Sequence, residues 1–325
     1  VEFESLNTGG STTFAWTNDT ESIGLSSSGA TAGFTFTAVN TGTIPVVATI
    51  TVTPTFENGG INSEGTSQTF TITVNPTGQV DEIQDQILCN TNATTAITFT
   101  TDNTGGTTIY SWTNDTDSIG LSATGTGDIA SFNAVNSGTE PITATIVVTP
   151  SFEGCEGPTE TFTITVNPTA EMNDPQDMVV CNAEVTDAVT FTTNNTGGTT
   201  TYTWTNDTPS IGLAASGEDF LPSFTAANTD TQPITATITV TPLFTDDIDC
   251  DGIQQTFTIT VNPTAQVNQP DNYEYCNGDI TDIIFTTSNG GDDSVTTYSW
   301  TVSGDDIGLD SSIDGDISQQ VTNET

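Results

Sequence analysis

Two kinds of side chain in this 325-residue sequence have types and spacings that invite chemistry: five cysteines and 42 carboxylates. Cys89, Cys181 and Cys276 each stand 13 residues after the proline that ends a TFTITVNP segment. Cys155 and Cys250 stand in stretches of variable length, EGCEGPTE and TDDIDCDGIQQ. Pairing Cys89 with Cys155 and Cys181 with Cys250 closes loops of 66 and 69 residues, each worth roughly 4 kcal/mol by loop-closure entropy. Cys276 is then expected to bond a partner about 70 residues further on, beyond Thr325. Disulfides of this kind suit thin-cored domains in an oxidising compartment. Zinc is disfavoured, because the chain has no His and no CxxC pair.

The carboxylates admit two kinds of chemistry. Asp246, Asp247, Asp249 and Asp251 surround Cys250, and Asp292 adjoins Asp293; hard oxygen donors so clustered are candidate Ca²⁺ ligands, although no EF-hand spacing is present. An ion at a junction between repeats would stiffen the array. A pair of acids could also hydrolyse a glycoside, but such a site occupies one special place, whereas these acids recur with the repeats or scatter through loops. The rest of the charge reads as a solvated, self-repelling surface.

Most other chemistry is excluded by what is missing. The chain has no Lys, no Arg and no His, for a formal charge of −42. It therefore lacks the usual neutral-pH base, the Schiff-base amine and any cationic clamp. Binding nucleic acid or an anionic membrane runs on Lys and Arg, so neither is a partner. Lys–Asn isopeptide crosslinks are impossible. The expectation is no enzyme and no required cofactor, with Ca²⁺ the one candidate ion.

The elements that position these residues follow from an internal repeat. TFAWTNDTESIGL, YSWTNDTDSIGL, YTWTNDTPSIGL and YSWTVSGDDIGL place Trp16, Trp112, Trp204 and Trp300 at intervals of 96, 92 and 96 residues. Phe36, Phe132 and Phe224 recur 20 residues after the Trp, and Asn40, Asn136 and Asn228 recur 24 after it. Prolines recur at Pro45 and Pro54, Pro141 and Pro150, Pro233 and Pro242. Segments such as PITATIVVTP and TETFTITVNP alternate apolar residues with Thr, the period-two signature of strands. No stretch approaches the roughly 20 apolar residues of a membrane span. Turn signals such as Asn103–Gly106 and Asn195–Gly198 separate the strands. The expected fold is all-β: tandem immunoglobulin-like antiparallel β-sandwiches with the Trp in each core. The modules run 1–77, 78–169, 170–264 and 265–325, the first and last partial, so the sequence reads as a section of a longer protein. The junctions have fixed length and no Gly/Ser or Pro-rich linker, which predicts a rod of modules touching only their neighbours. Sequons at Asn18, Asn114 and Asn206 recur with the turn and are ascribed to turn chemistry; others stand at Asn92, Asn194 and Asn323.

The Trp strand followed by TNDTxSIGL, then FTAVNTGTxPxxATITVTP, TFTITVNPTAQVN and a Cys-Asn pair, resembles the PKD-like, immunoglobulin-like repeats of giant Bacteroidota surface proteins. Among these are the SprB-type gliding-motility adhesins exported by type IX secretion. The resemblance covers essentially the whole chain. It departs from the PKD signature, with Thr-Asn-Asp after the Trp in place of a WxFGDG-like motif, and the fourth repeat has Gln320 where Phe recurs. The resemblance implies a spacer or stalk of an extracellular, cell-surface adhesin or filament, projecting an adhesive element outside this section. Its partners would be neighbouring repeats and, through other regions, a surface or glycan. Ser118 and Ser294 match the Asp-Ser-apolar O-glycosylation pattern of Bacteroidota proteins. Two alternatives remain open: an array whose variable hairpin loops bind glycans or a partner, and an accessory array of a secreted enzyme. The variable loops hold almost no aromatic residues, which favours the spacer.

Overall fold

A computed structural model describes residues 1–291, 295–310 and 312–322. Strands dominate it, because Val, Ile and Phe alternate with Thr at the pleat period and β-branched residues pack well on a pleated face. The chain forms two compact units, Val1–Pro168 and Thr169–Thr325.

The first unit holds two sheets. In the first, the Trp strand Ser11–Asn18 pairs antiparallel with the long strand Val46–Asn58, which also pairs with the hairpin strand Ile61–Glu64 and the closing strand Gln68–Val74. In the second, the equivalents are Thr108–Asn114, Ile142–Phe152, Cys155–Glu156 and Glu160–Asn167. Here an entry strand, Gln86–Cys89, lies parallel to the closing strand, with Cys89 opposite Asn167. The sheet is therefore mixed at one edge, where short strands separated by turn signals predict antiparallel pairing throughout. A second layer faces it, in which Ile97 and Ile129 exchange backbone hydrogen bonds and Ala93 bridges Asn133.

In the second unit, Met178–Cys181, Gln255–Asn262, Ile234–Asp246, Thr199–Asn206 and Ser216–Glu218 repeat this order, with Ile248–Asp251 as the hairpin strand. Val189–Thr190 and Phe220–Leu221 form its second layer. The fourth repeat keeps a short ladder between Ser299–Thr301 and Ser312–Asp314 and bridges Ile280 to Gln320.

Burial follows the alternation. In the long strand Ile142–Phe152, Ala144, Ile146, Val148 and Phe152 are inaccessible, while the threonines between them lie on the outer face. Trp16, Trp112 and Trp204 are buried, one in each of three separate apolar clusters, as expected of a sandwich core. Their indole N–H groups donate to Thr31 Oγ1, Gly127 O and Phe220 O. A glycine faces each ring: a Cβ at Gly29, Gly125 or Gly217 would lie 2.3, 2.1 or 2.4 Å from it, so no larger residue fits without displacing the Trp. These are tandem immunoglobulin-like β-sandwiches.

Candidate functional site

The most repeated residues build a corner. After the Trp strand, Asn18, Asn114 and Asn206 are buried, and each Nδ2 donates to the carbonyl of the Leu seven residues on, at 2.8, 2.9 and 3.1 Å. Each Oδ1 accepts the N–H of Thr20, Thr116 or Thr208 at 2.9 to 3.0 Å. The next residue, Asp19, Asp115 or Asp207, accepts the N–H of Thr49, Thr145 or Thr237 on the long strand at 2.7 to 2.8 Å. That backbone bond, helped by the neighbouring Thr hydroxyl, holds each carboxyl below the ordinary Asp range. A single 3₁₀ turn follows, burying Ile23, Ile119 or Ile211. It ends on Gly24, Gly120 or Gly212 at φ 93 to 96°, a left-handed conformation that favours Gly. The Asn, the Asp, the second Thr, the Ile, the Gly and the Leu of TNDTxSIGL each have a structural task, and the sequon Asn uses its amide to close the turn.

Asparagines recur at two further positions. Asn40, Asn136 and Asn228 each donate to a carbonyl at the end of the closing strand of their own repeat, that of Val74, Val166 or Val261, at 2.7 to 2.8 Å. Asn103, Asn195 and Asn289 grip the peptide that follows that strand. Their Oδ1 accepts the N–H of Gln79, Glu171 or Gln266 at 2.6 to 2.7 Å. Their Nδ2 donates to Thr77, Thr169 or Thr264. At two junctions the loop carrying this Asn reaches the preceding repeat. Thr104 N–H donates to Thr43 O at 3.0 Å within the first unit, and Gly290 N–H donates to Thr231 O at 3.0 Å within the second. Thr43 and Thr231 are equivalent positions, so the junction repeats. In the sequence these loops read only as turn signals, although the Asn stands 27, 27 and 26 residues after Pro76, Pro168 and Pro263.

The cysteines require a correction. Cys89 and Cys250 are disulfide-bonded, while Cys155, Cys181 and Cys276 are free thiols. Neither expected pair, Cys89–Cys155 or Cys181–Cys250, is closed. The register gives the reason. Cys89 lies opposite Asn167, next to the Val166–Ile142 pair, at one end of the sheet; Cys155 pairs with Phe152 at the other. The long strand between them has 11 residues, or about 34 Å at a rise of about 3.4 Å per residue. A disulfide needs Cα atoms within about 7 Å. The same holds for Cys181, opposite Asn262, and Cys250, opposite Phe244. Linking the two cysteines of one sheet is therefore impossible in this fold.

The acids around Cys250 lie along a hairpin. Asp246 pairs with Ile248, Asp249 with Thr245 and Asp251 with Leu243, and Asp247 forms the tip at φ 57°. Asp249 accepts the Thr245 hydroxyl at 2.8 Å. Among the described residues no group of three or more acidic, Cys or His side chains converges as a metal site would need. Asp292, Asp293, Ser294 and Asn323 lie outside the described residues. Ser118 is exposed, in the 3₁₀ turn Asp117–Ile119.

No family model matches this chain, and no curated protein matches it. It is similar to several solved tandem-domain structures. Extracellular domains 3–5 of Drosophila OTK share 13% identity, over 76% of this chain and 87% of that one, at a TM-score of 0.28. Mouse cadherin-23 EC22–24 shares 12%, over 77% and 86%, at 0.34. The fibronectin(III)-like modules of Clostridium thermocellum CbhA share 13%, over 60% and 99%, at 0.25.

Proposed function

We propose that this chain is a structural spacer: four immunoglobulin-like modules, 1–77, 78–169, 170–264 and 265–325, forming part of the stalk of a large extracellular adhesin or surface filament. The observation that carries this reading is the junction. The same Asn-gripped peptide and the same loop-to-loop hydrogen bond recur at equivalent positions, Thr104 to Thr43 and Gly290 to Thr231. A joint of fixed length with its own hydrogen bonds restrains bending, and modules that contact only neighbours build a rod. Strong negative charge keeps such a rod extended. The resemblance to the PKD-like repeats of Bacteroidota surface proteins supports a stalk on a bacterial cell surface, in a type IX secreted, gliding-motility type of adhesin whose binding element lies elsewhere.

Small-angle X-ray scattering of the chain at physiological ionic strength tests this. The expected result is a stiff rod on the order of 100 Å or longer, with and without Ca²⁺. A rod that forms only with Ca²⁺ keeps the stalk and makes the acids its ligands. A compact particle in both conditions overturns the spacer.

A further inference from the structure

We propose that the first repeat is a strand-docking site, which binds an extended segment of a partner polypeptide along the open edge of its closing strand, Gln68–Val74. The second and third repeats show what fills the same seat in them. In the second, residues 77–89 cross the end of the sheet and then lie along the closing strand. Gly78 N–H donates to Cys155 O, Gln79 N–H to Asn103 Oδ1 and Asp81 N–H to Thr100 O, at 2.9, 2.7 and 2.9 Å. Val80 and Ile83 pack against the core, Asp85 accepts the Thr163 N–H, and Gln86–Cys89 pairs parallel with residues 164–167. The third repeat does the same: Glu171 N–H donates to Asn195 and Asn173 N–H to Thr192, Met172 enters the core, Asp177 accepts the Thr258 N–H, and Met178–Cys181 is the strand.

In the first repeat the seat is formed and open. Phe3, Glu4 and Asn7 stand where Phe99, Thr100 and Asn103 stand in the second. Asn7 keeps the turn, since its N–H donates to Ser5 Oγ as Asn103 N–H does to Thr101 Oγ1, at 3.2 and 3.1 Å. Its side-chain amide has no partner among the described residues. Gly65, Gly157 and Gly252 are equivalent, each donating its N–H to the carbonyl of Pro54, Pro150 or Pro242. A Cβ on Gly157 would overlap Gly78 O and one on Gly252 would overlap Ala170 O, because the segment crosses directly over that glycine; on Gly65 it would meet only Pro54, at 3.0 Å. The space above is a cleft of about 690 Å³ walled by Phe3, Phe14, Pro54 and Phe70. Phe70 is half-buried where its counterpart Phe162 is 2% exposed, so the apolar core is unfinished on this side. Gln68–Val74 pairs with residues 46–52 of the long strand, and its other edge has no strand among the described residues. Past the end of that edge, Ala38 and Asn75 line a second cleft of about 560 Å³. Their counterparts Ala134 and Asn167 receive the N–H groups of Thr91 and Asn90.

The occupant follows from these partners. It is an extended segment with apolar residues at the places of Val80, Ile83 and Leu88, and with an Asp at the place of Asp85 to accept the N–H of Thr71, the counterpart of Thr163. At the place of Asp81 it carries an amide. Asp81 and Asn173 there meet the hydroxyls of Thr100 and Thr192, but Glu4 holds that position in the first repeat, so a second carboxylate is repelled and an amide can donate. Main-chain hydrogen bonds to the open edge supply affinity, and alternate side chains supply specificity. The inference does not depend on the stalk reading.

The test uses the full chain and a synthetic peptide of residues 76–91 with Cys89→Ser, made with Asp81 and with Asp81→Asn. Calorimetry is expected to find one peptide bound per chain, the Asp81→Asn peptide more tightly. Hydrogen exchange is expected to show new protection in residues 68–75, Thr71 among them. Gly65→Ala in the chain is expected to weaken binding roughly tenfold or more, as a methyl group added to a filled contact does, with the thermal midpoint unchanged. Asn7→Ala, at an exposed side chain, is expected to weaken it too, through the lost grip on the peptide backbone. No binding of either peptide, tighter binding of the Asp81 form, protection confined to other residues, or undiminished binding by both variants overturns the inference. So does self-association of the chain that the peptide abolishes, because a second copy is then the occupant.

Discussion

Asp115 shows how an exposed acid can be structural. Its carboxylate accepts the Thr145 N–H at 2.8 Å and the Thr116 hydroxyl at 2.9 Å, and these bonds favour the ionised form. A group whose pKa is lower folded than unfolded contributes stability above its unfolded pKa and loses it as pH falls through the folded pKa. Asp19 and Asp207 repeat the arrangement. The general effect of acid on a chain of charge −42 is opposite, because protonation relieves self-repulsion. Comparing wild type with Asp115→Asn separates the two. The variant is expected to be less stable at neutral pH, and the gap to narrow as pH falls below the ordinary Asp range. Urea denaturation at a series of pH values reads this; a gap independent of pH would mean the charge on Asp115 does not matter.

At the scale of elements, the parallel entry strand is held by a residue outside the strand pattern. Asp85 Oδ1 accepts the N–H of Thr163 at 2.6 Å and Asp177 Oδ1 accepts that of Thr258 at 2.7 Å. Each acid stands four residues before the entry cysteine and satisfies an edge N–H of the closing strand just before the entry strand begins to pair. The junction relies on the same device with an amide. Asn103→Ala is expected to leave the Gln79 N–H and the Thr77 carbonyl without their side-chain partner, at a cost of about 1–3 kcal/mol. Thermal unfolding should show the loss, and scattering should show a wider spread of lengths, because the peptide following the closing strand is no longer gripped. Loss of stability without change of length would place the bending stiffness elsewhere.

For the whole molecule, the missing cations set both solubility and susceptibility. With no Lys or Arg there is no bond for trypsin to cut. The chain is expected to survive trypsin folded or in urea, while a Glu-specific protease cuts it once it unfolds; electrophoresis after timed digestion decides this. The same charge opposes side-by-side bundling, over a range of about 8 Å at physiological ionic strength. Modules joined end to end avoid that repulsion better than modules packed side by side.

The sequence by itself determined whatever is local or periodic. Alternating Val, Ile and Thr specified the strands, the spacing of Trp16, Trp112, Trp204 and Trp300 specified the repeat, and Trp16, Trp112 and Trp204 proved to be core as their neighbours required, while Trp300 is only half-buried. The constant TNDTxSIGL was legible as a turn, though the backbone bond from Thr145 to Asp115 was not, since it joins residues 30 apart through sheet register. The tertiary structure alone decided what the cysteines can reach. Sequence separation made Cys89 and Cys155 look like a pair, because both recur within one repeat. The sheet places them at opposite ends of an 11-residue strand, and a disulfide tolerates only a few ångströms between Cα atoms. The parallel entry strand and the grip of Asn103, Asn195 and Asn289 were hidden for the same reason: each depends on which chain ends meet after folding, and a one-dimensional pattern carries the repeat length but not that meeting.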